Sequence, residues 1–540
     1  MRFQVHIRRG LLCGLVTALF LPSPAAAGTT LVSREGEPPG ATGRGYLASL
    51  SADGRFVGFW DGAVTLVRDL QAGTTVVASR ASGAQGAIAD ASPFPPSLST
   101  DGRFVAFTSP ARTLDPDDGD DAADVYVRDL LEGTTTLVSR ASGASAPKGN
   151  RESYDPSISG DGRFVAFASR ASNLDPADSE PTPAEHGVGI DPAWDIFVRD
   201  LATGTTVLVS RASGAGGSDA KGASLAPSIS ADGRFVAFQS FATNLHPEDT
   251  DPTGDIYVRD LVTATTIFVG RGPAAARPRM VHDAAWPSIS SDGQAVAFSN
   301  WGAIFLWHAR TRTTARVDVA SSGARANSDS EFPSLSGNGR YVAFSSYATN
   351  LQLFHTAPFP DVFVRDLDRG TTVLASRASG PFGAPGSGGS REPSISADGR
   401  LVAFESRSSN LDPQDPDRRG DVFVRDLGTP PFDAPAPVFC GGRRATTLLL
   451  PGSPPFRGTS APDIVVGSRT SDRIAGRAGR DRICGGGGRD RLIGGPGGDL
   501  LRSVDPFSDY VECGPGLDRA VVDPRDRVRG CERVRVRRPG

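Results

Sequence analysis

The chain has 540 residues, 22% of them charged, and a formal net charge of -4 at pH 7. A length above about 300 residues exceeds one ordinary domain unless the chain is built from repeats that each add a unit. The slightly acidic balance gives no electrostatic reason to expect nucleic acid as a partner, so nucleic-acid binding is excluded from the expected functions.

The first 27 residues have the pattern of a secretory signal peptide. Arg2, Arg8 and Arg9 form a positive segment, residues 11–21 are a short apolar run, and residues 25–27 are alanines that fit a cleavage site. The apolar run is about half as long as a bilayer span requires, which disfavours a membrane anchor. We therefore expect an exported protein, secreted or held in the cell envelope or periplasm, without a transmembrane segment after cleavage.

A sequence repeat occupies residues 28–428. The pattern PSISADGRFVAF, a variable loop, DIYVRDL and a GTTxLVSRASG tail recurs along this region. Seven turns mark seven copies that are 46 to 71 residues apart, and they begin at Asp53, Asp101, Asp161, Asp232, Asp292, Asn338 and Asp398. A period of this length indicates an array of similar supersecondary units.

Each copy predicts a four-stranded antiparallel sheet. In the copy at 226–270, the segments 227–230, 235–238, 255–260 and 265–269 have strand character and are separated by turn or loop residues. A ring of such sheets is a β-propeller, so we predict an all-β, seven-bladed propeller over residues 28–428. The absence of a long 3.6-residue apolar period argues against a helical solenoid.

The seventh copy lacks its last strand. It ends near residue 427, whereas a matching TTLVSR segment occurs at residues 29–34, close to the start of the mature chain. We therefore predict that the N-terminal strand completes blade seven. Closure of this kind removes two exposed sheet edges, which would otherwise promote aggregation.

The PSISADGRFVAF…DIYVRDL pattern resembles the WD40-like (PD40) repeat of TolB-type β-propellers from bacterial envelopes. The resemblance covers about residues 28–428 and implies a propeller scaffold. The additional N-terminal α/β domain of TolB has no counterpart in this sequence. The resemblance therefore does not imply the role of TolB in the Tol–Pal envelope system.

Residues 429–457 are predicted to be a Pro-rich linker, and a second period begins at residue 458. Aspartates occur nine residues apart, each with a glycine five residues before it and an aliphatic residue two after it, at Asp463, Asp472, Asp481, Asp490 and Asp499. This pattern is similar to the RTX calcium-binding repeat GGxGxDxUx, which implies a parallel β-roll. We predict such a roll, with a C-terminal cap, over residues 458–540.

The resemblance implies that Asp472, Asp481, Asp490 and Asp499 are candidate Ca²⁺ ligands. An alternative is a metal-free roll braced by disulfides, in which neighbouring arginines pair with the carboxylates. The arginines in question are Arg473, Arg480, Arg482, Arg489 and Arg491.

Four cysteines remain after signal cleavage, and all lie in the last 101 residues: Cys440, Cys484, Cys513 and Cys531. An even number of cysteines in an exported chain favours disulfides. We expect the pairs Cys440–Cys484 and Cys513–Cys531, while the two other connectivities stay open. No CxxC spacing occurs, which disfavours zinc or redox chemistry.

A second acidic pattern, D-x-D-x3-D, occurs in loops between the second and third strands. Asp249, Asp251 and Asp255 have this spacing, as do the aspartates within 118–124 and 415–421. Oxygen ligands at such spacing can wrap one Ca²⁺. The alternative is a solvated turn whose last aspartate caps the loop. Asp361 favours this alternative, because blade six has it without the other two.

Catalytic motifs are absent: the sequence contains no GxSxG, no HExxH and no P-loop. We therefore expect a non-catalytic binding or interaction module, monomeric, with a protein or glycan ligand at a propeller face. The alternatives are a secreted hydrolase or lyase acting on polysaccharide, and a structural surface or matrix protein. Tryptophans where the repeat departs from its pattern are either binding anchors or inter-blade packing residues, namely Trp60, Trp194, Trp286, Trp301 and Trp307.

Overall fold

The structure is a computed structural model. It describes residues 28–34, 43–83, 86–89, 94–143, 146–179, 193–270, 284–352, 359–380, 383–415, 417–428, 439–440, 443–444, 447–449, 454–468, 470–505 and 507–537. The predicted signal peptide at 1–27 lies outside the described residues. The regular secondary structure within these ranges consists of β-strands. These described residues contain no helix that is long and apolar enough to cross a membrane.

Seven four-stranded antiparallel sheets form the predicted seven-bladed propeller. Blade one contains β2 (Tyr46–Leu50), β3 (Phe56–Trp60), β4 (Thr65–Asp69) and β5 (Thr74–Val77). Blade two contains β6 (Ser97–Leu98), β7 (Phe104–Ser109), β8 (Asp124–Asp129) and β9 (Thr134–Leu137). Blade three contains β10 (Ser153–Ile158), β11 (Phe164–Ser169), β12 (Asp195–Asp200) and β13 (Thr205–Leu208). Blade four contains β14 (Ser224–Ile229), β15 (Phe235–Ser240), β16 (Asp255–Asp260) and β17 (Thr265–Gly270).

The remaining blades follow the same order. Blade five contains β18 (Ala285–Ile289), β19 (Ala295–Asn300), β20 (Ala303–His308) and β21 (Thr313–Arg316). Blade six contains β22 (Ser330–Leu335), β23 (Tyr341–Ser346), β24 (Asp361–Asp366) and β25 (Thr371–Leu374). Blade seven contains β26 (Ser390–Ile395), β27 (Leu401–Ser406), β28 (Asp421–Asp426) and the N-terminal β1 (Thr29–Leu31).

The C-terminal region forms two parallel sheets, as predicted for a roll. One sheet contains β31 (Thr447–Leu448), β33 (Ile464–Val466), β35 (Arg482–Cys484), β37 (Leu500–Ser503), β39 (Arg519–Val522) and β41 (Arg533–Val536). The other contains β32 (Phe456–Arg457), β34 (Arg473–Ala475), β36 (Arg491–Ile493), β38 (Tyr510–Glu512) and β40 (Arg527–Arg529). The short strands β29 (Phe439–Cys440) and β30 (Arg443–Arg444) pair with each other.

The roll begins before the predicted boundary at residue 458. Strands β31 and β32 lie within the segment predicted as linker, 429–457, and pair in parallel with β33 and β34. The roll also continues through β41, so the predicted cap consists of further turns. The Pro-rich composition that suggested a linker is concentrated in residues 430–437, ahead of these strands.

The tight turn between the first two strands explains the repeated S-x-D-G-R sequence. In blade four, the Ser230 hydroxyl donates to Asp232 Oδ1 at 2.5 Å, and the Arg234 amide donates to the same oxygen at 3.0 Å. Gly233 has a φ of +72°, a conformation that costs glycine little. Arg234 then forms a salt bridge with Asp260 at the end of the third strand, at 2.7 Å.

Side chains of the repeat also join neighbouring blades. The serine of each PSI segment accepts a hydrogen bond from the first strand of the next blade, as Ser157 does from the Ile229 amide at 3.1 Å. A buried arginine on the third strand reaches back to the preceding blade. Arg199 donates to the carbonyls of Arg140 and Ala141, both at 3.0 Å. The repeated residues therefore specify both the blade and its docking to the next one.

The N-terminal strand closes the ring, as predicted. Thr29 lies opposite Arg425 in the antiparallel ladder, and the Val32 amide donates to the Val422 carbonyl at 2.8 Å. The Ser33 hydroxyl donates to Asp421 Oδ1 at 2.7 Å. The same inter-blade serine contact links blade seven to blade one, because the Leu50 amide donates to Ser394 at 2.9 Å.

We predict that Gly233→Ala destabilises the protein more than Gly339→Ala. The two glycines occupy equivalent turns of blades four and six, and both have a φ near +70°. An alanine at either position therefore costs about 1 kcal/mol or more in backbone strain. A Cβ at Gly233 would lie under 3.0 Å from the Phe164 ring of the preceding blade, whereas at Gly339 the nearest atom is 3.8 Å away. Overpacking should add about 1–3 kcal/mol at Gly233 alone. Urea unfolding of the two variants measures the difference, and equal losses would contradict this account.

Candidate metal centre in the roll

The alternation of strands between two sheets arranges the roll's aspartates into two columns. Successive nonapeptides add strands to opposite sheets, so aspartates about 18 residues apart stack on the same side. One column contains Asp463, Asp481, Asp499 and Asp518, and the other contains Asp472, Asp490, Asp509 and Asp526. The four predicted ligands are therefore divided, two in each column.

In each column, the backbone amide of one aspartate donates a hydrogen bond to a carboxylate oxygen of the aspartate in the next turn. The amide of Asp472 donates to Asp490 Oδ1 at 2.9 Å, and the amide of Asp481 donates to Asp499 Oδ1 at 2.8 Å. The contact repeats from turn to turn up to the amide of Asp518, which donates to Glu532 at 2.8 Å. This use of Oδ1 is structural and needs no metal.

The second oxygen distinguishes the later repeats from the earlier ones. Oδ2 of Asp481, Asp490, Asp499 and Asp518 is buried and has no hydrogen-bond partner among the residues that the structure describes. These four residues are at most 4% exposed. Oδ2 of Asp472 instead accepts from the Ser468 amide at 2.5 Å. Of the four predicted ligands, three thus have an unsatisfied oxygen, and Asp472 does not.

A glycine lies five residues before Asp481, Asp490 and Asp499 and keeps space beside the Oδ2 atom of each. A Cβ added at Gly476, Gly485 or Gly494 would lie under 3.0 Å from Oδ2 of the aspartate that follows it. At Gly476 and Gly494 the Cβ would also meet a carbonyl oxygen of the next turn, under 3.0 Å away. Carboxylate and carbonyl oxygens therefore face the same space, and Ca²⁺ takes oxygen ligands of these two kinds.

Four of the five arginines of the metal-free alternative form no salt bridge with these carboxylates in the described part of the roll. Arg473, Arg480, Arg489 and Arg491 are exposed, whereas the aspartates are buried. Arg491 lies over the Tyr510 ring, 5.0 Å from its centroid. These four arginines therefore do not neutralise the two columns of aspartates, in contrast to the metal-free alternative.

One cluster of the roll joins the predicted ligand Asp490 to two aspartates outside the predicted set. Asp490, Asp505 and Asp509 are all buried and offer oxygens within 4.8 Å of one another. Oδ2 of Asp505 also has no hydrogen-bond partner. Sequence reasoning missed Asp505 and Asp509 because the nine-residue spacing becomes ten after Asp499. The aliphatic Val511, two residues after Asp509, was the remaining signal of another turn.

Burial raises the pKa of several of these carboxyl groups. The pKa of Asp490 rises to about 8, and the pKa of Asp499 and of Asp526 rises to about 6. Desolvation is the main cause, and neighbouring carboxylates add to it. Without a cation, the columns therefore hold protons more strongly than free aspartates do.

Both expected disulfides are present. Cys440 pairs with Cys484, and Cys513 pairs with Cys531. The first bond joins β29 to a strand of the roll, and the second closes its C-terminal turns. The sequence left two other connectivities open, and the structure excludes them because the roll brings these pairs together.

The predicted propeller cluster is also assembled. Asp249, Asp251 and Asp255 offer oxygens within 4.8 Å of one another. The Tyr257 hydroxyl donates to Asp249 Oδ2 at 2.5 Å. Asp249 and Asp255 are buried and Asp251 is half-buried, so this loop differs from the fully solvated turn of the alternative interpretation.

Residues 458–501 match the RTX calcium-binding nonapeptide repeat family in four copies. The chain is similar in fold to oligogalacturonate lyase from Vibrio parahaemolyticus, with 11% identity and a TM-score of 0.44 over 75% of this chain and 98% of that one. It is also similar to TolB from Acinetobacter baumannii, with 15% identity and a TM-score of 0.34 over 66% of this chain and 67% of that one. No curated protein matches the sequence.

We predict that the metal-free roll loses stability as the pH rises. A carboxyl whose pKa is raised by folding stabilises the folded state below its unfolded pKa of about 4, and this stabilisation is lost as the pH passes the folded value. The loss should extend to about pH 8 for Asp490 and to about pH 6 for Asp499 and Asp526.

Hydrogen exchange of roll peptides in EDTA, corrected for intrinsic rates, measures this stability between pH 4 and 8. The variant Asp490→Asn keeps the oxygen that accepts from the Asp472 amide, and it should flatten the upper part of the profile. Stability that rises with pH in the wild-type protein would contradict the prediction.

Proposed function

We propose that the chain is an exported, non-catalytic binding module of the cell envelope or extracellular space, and that calcium assembles its C-terminal roll. The observation that supports the calcium part is the set of buried carboxylate oxygens without donors at Asp481, Asp490, Asp499, Asp505 and Asp518. An unpaired buried charge costs several kcal/mol, and a divalent cation among the columns would offset that cost.

Two further features support an extracellular setting for this proposal. Both disulfides form in the roll region, and structural disulfides persist in oxidising compartments. Calcium sites of extracellular modules typically have dissociation constants of about 10⁻⁴ to 10⁻³ M, so they fill outside the cell. Export before calcium loading would then keep the roll incompletely folded until the chain leaves the cytoplasm.

The proposed ligand-binding surface lies on the first strands of the propeller, which lie side by side around the ring. Trp286 in blade five is 44% exposed, and its ring centroid is 4.4 Å from that of Phe332 in blade six. Both residues occupy strand bulges with positive φ, and such strain is common at functional sites. An aromatic pair that spans two blades, with Trp286 exposed and Phe332 half-buried, suits stacking on a glycan ring.

One observation favours the hydrolase or lyase alternative. Glu392 occupies the equivalent bulge in blade seven, and its buried Oε2 has no partner in the described part of the chain. Burial, together with the charge of Glu392, raises the pKa of the neighbouring Glu405 to about 7. A carboxyl group that titrates near neutrality can act as a general acid or base.

We predict that Ca²⁺ slows hydrogen exchange throughout residues 470–537 of the full chain at pH 7, whereas Mg²⁺ does not. Mg²⁺ demands a smaller, near-octahedral site and releases its water reluctantly. The variants Asp481→Asn and Asp499→Asn should weaken the response by about tenfold in Ca²⁺ concentration, equal to about 1.4 kcal/mol. Asp472→Asn serves as the matched control, because the oxygen of Asp472 is already bonded to the Ser468 amide. An unchanged exchange rate with Ca²⁺ would refute the calcium proposal.

We also predict that Trp286→Ala lowers binding to an array of envelope and extracellular glycans by about tenfold or more, since an aromatic anchor contributes about 1–3 kcal/mol. Phe507→Ala, which removes an exposed ring from the roll, is the control and should leave binding unchanged. If the wild-type protein depolymerises the bound glycan and Glu392→Gln does not, the result would instead support the enzyme alternative.

A further inference from the structure

Three blades carry the same cluster of aspartates in the loop before the third strand. In each cluster three carboxylates offer oxygens within 4.8 Å of one another. The clusters are Asp118, Asp120 and Asp124 in blade two; Asp249, Asp251 and Asp255 in blade four; and Asp415, Asp417 and Asp421 in blade seven. Three negative charges at this separation repel one another, so each cluster requires a counter-charge.

Blade two contains its own cation. The Lys148 ammonium lies 3.0 Å from Asp118 Oδ1, 2.8 Å from Asp120 Oδ1 and 2.5 Å from Asp124 Oδ2. The other oxygen of Asp124 accepts from the Ser139 hydroxyl at 2.6 Å. The position bounded by the three carboxylates in blade two is therefore a cation site that a tethered ammonium occupies.

Blade seven has the same cluster without that ammonium. Asp421 is 4% exposed, and its Oδ1 accepts from the Ser33 hydroxyl as Asp124 accepts from Ser139. Its Oδ2, the counterpart of the oxygen bonded by Lys148, receives no donor from the described part of the chain. Residues 35–42, which follow Arg34 of the closing segment, contain no lysine or arginine in their sequence, and the next basic residue is Arg44.

A second oxygen in blade seven has also lost its partner. In blade two the Tyr126 hydroxyl donates to Asp118 Oδ2, and in blade seven Phe423 stands at the tyrosine position. Asp415 is 6% exposed, and only its Oδ1 has a donor among the described residues, the Asp417 amide at 3.0 Å. Asp415 and Asp421 are thus both more than nine-tenths buried, and each has one oxygen that receives no donor from the described residues. The three carboxylates of the cluster offer oxygens within 4.8 Å of one another. The one described ion pair of the cluster joins Arg419 to Asp417 at 3.4 Å, on its exposed side.

Blade four is intermediate between these cases. The Tyr257 hydroxyl is retained there and bonds Asp249. Arg271 there corresponds to Arg34 of blade seven, but Arg277 and Arg279 follow it in the sequence, whereas residues 35–42 contain no basic residue. Blade seven is therefore the cluster that most requires a cation from solution.

We propose that Asp415, Asp417 and Asp421 of blade seven bind a Ca²⁺ ion that locks the closure of the propeller ring. Carboxylate oxygens are hard ligands of the kind Ca²⁺ takes, and water would complete its coordination. The site is separate from the roll and goes beyond the function proposed above. Asp421 is bonded to Ser33 of the closing segment, and the Leu31 amide donates to Asp412 of the same loop at 2.9 Å.

The coupling to closure follows from mass action. The loop holds the N-terminal segment through Asp412 and Asp421, so a cation that orders the loop binds the closed ring better than an open one. A ligand present at ten times its dissociation constant then stabilises the closed state about elevenfold. Detachment of residues 28–34 should become rarer by that factor.

The test is hydrogen exchange of the full chain with and without Ca²⁺. We expect Ca²⁺ to slow exchange of residues 28–34 by about tenfold, and Asp421→Asn to abolish this effect. The amide side chain introduced by this substitution keeps an oxygen that can accept from Ser33, so the variant is expected to fold. Asp120→Asn in blade two is the matched control, because Lys148 already occupies that cluster, and it should leave the effect at 28–34 unchanged.

Lys148→Met provides an independent test, since it removes the tethered ammonium from an otherwise identical cluster. It should create a new Ca²⁺-dependent slowing of exchange at residues 146–153. Roll peptides are followed in the same samples, so failure of the roll to respond and failure of blade seven to respond are distinguishable. The proposal would be overturned if Ca²⁺ did not change the exchange rate of residues 28–34, or if it changed that rate equally in the wild-type protein and in Asp421→Asn.

Discussion

The ring depends on a buried arginine that crosses from one blade to the preceding one. Five blades share this contact, through Arg128, Arg199, Arg259, Arg365 and Arg425. Burial lowers the pKa of Arg199 to about 10, so the guanidinium stays charged at neutral pH. A buried charge without partners is costly, and here the partners are carbonyls of the neighbouring blade and one threonine hydroxyl of the same blade, as for Arg199. Each blade is therefore stable chiefly in contact with the next.

The same constraint explains why closure matters. The guanidinium of Arg425 donates to the Thr29 hydroxyl at 3.0 Å as well as to carbonyls of blade six. Without the N-terminal strand, that charge would lose a partner and blade seven would expose an edge. The loop aspartates lie at this same seam, where Ser33 meets Asp421. Charge compensation and ring closure are thus coupled in blade seven.

The two halves of the chain treat buried carboxylates differently. In the propeller, arginine or lysine side chains neutralise several of them, as Arg234 does for Asp260 and Lys148 does for Asp124. In the roll, Asp481, Asp490, Asp499 and Asp518 accept from backbone amides through one oxygen, and the other has no partner among the described residues. Glycine beside Asp481, Asp490 and Asp499 keeps the adjacent space open. The roll is consequently the part whose stability depends most on what the solvent supplies.

The sequence by itself determined the seven blades, their closure by residues 29–34 and the parallel roll, because turn glycines, strand alternation and the nine-residue period are local patterns. It also identified the acidic motifs. Only the tertiary structure decided which carboxylates are compensated, since Lys148 lies 24 residues from Asp124 in sequence and bonds it in space. Likewise, Asp505 joins Asp490 only because the roll stacks its turns. Electrostatic balance depends on distances between side chains that are remote in sequence, and no local pattern encodes those distances.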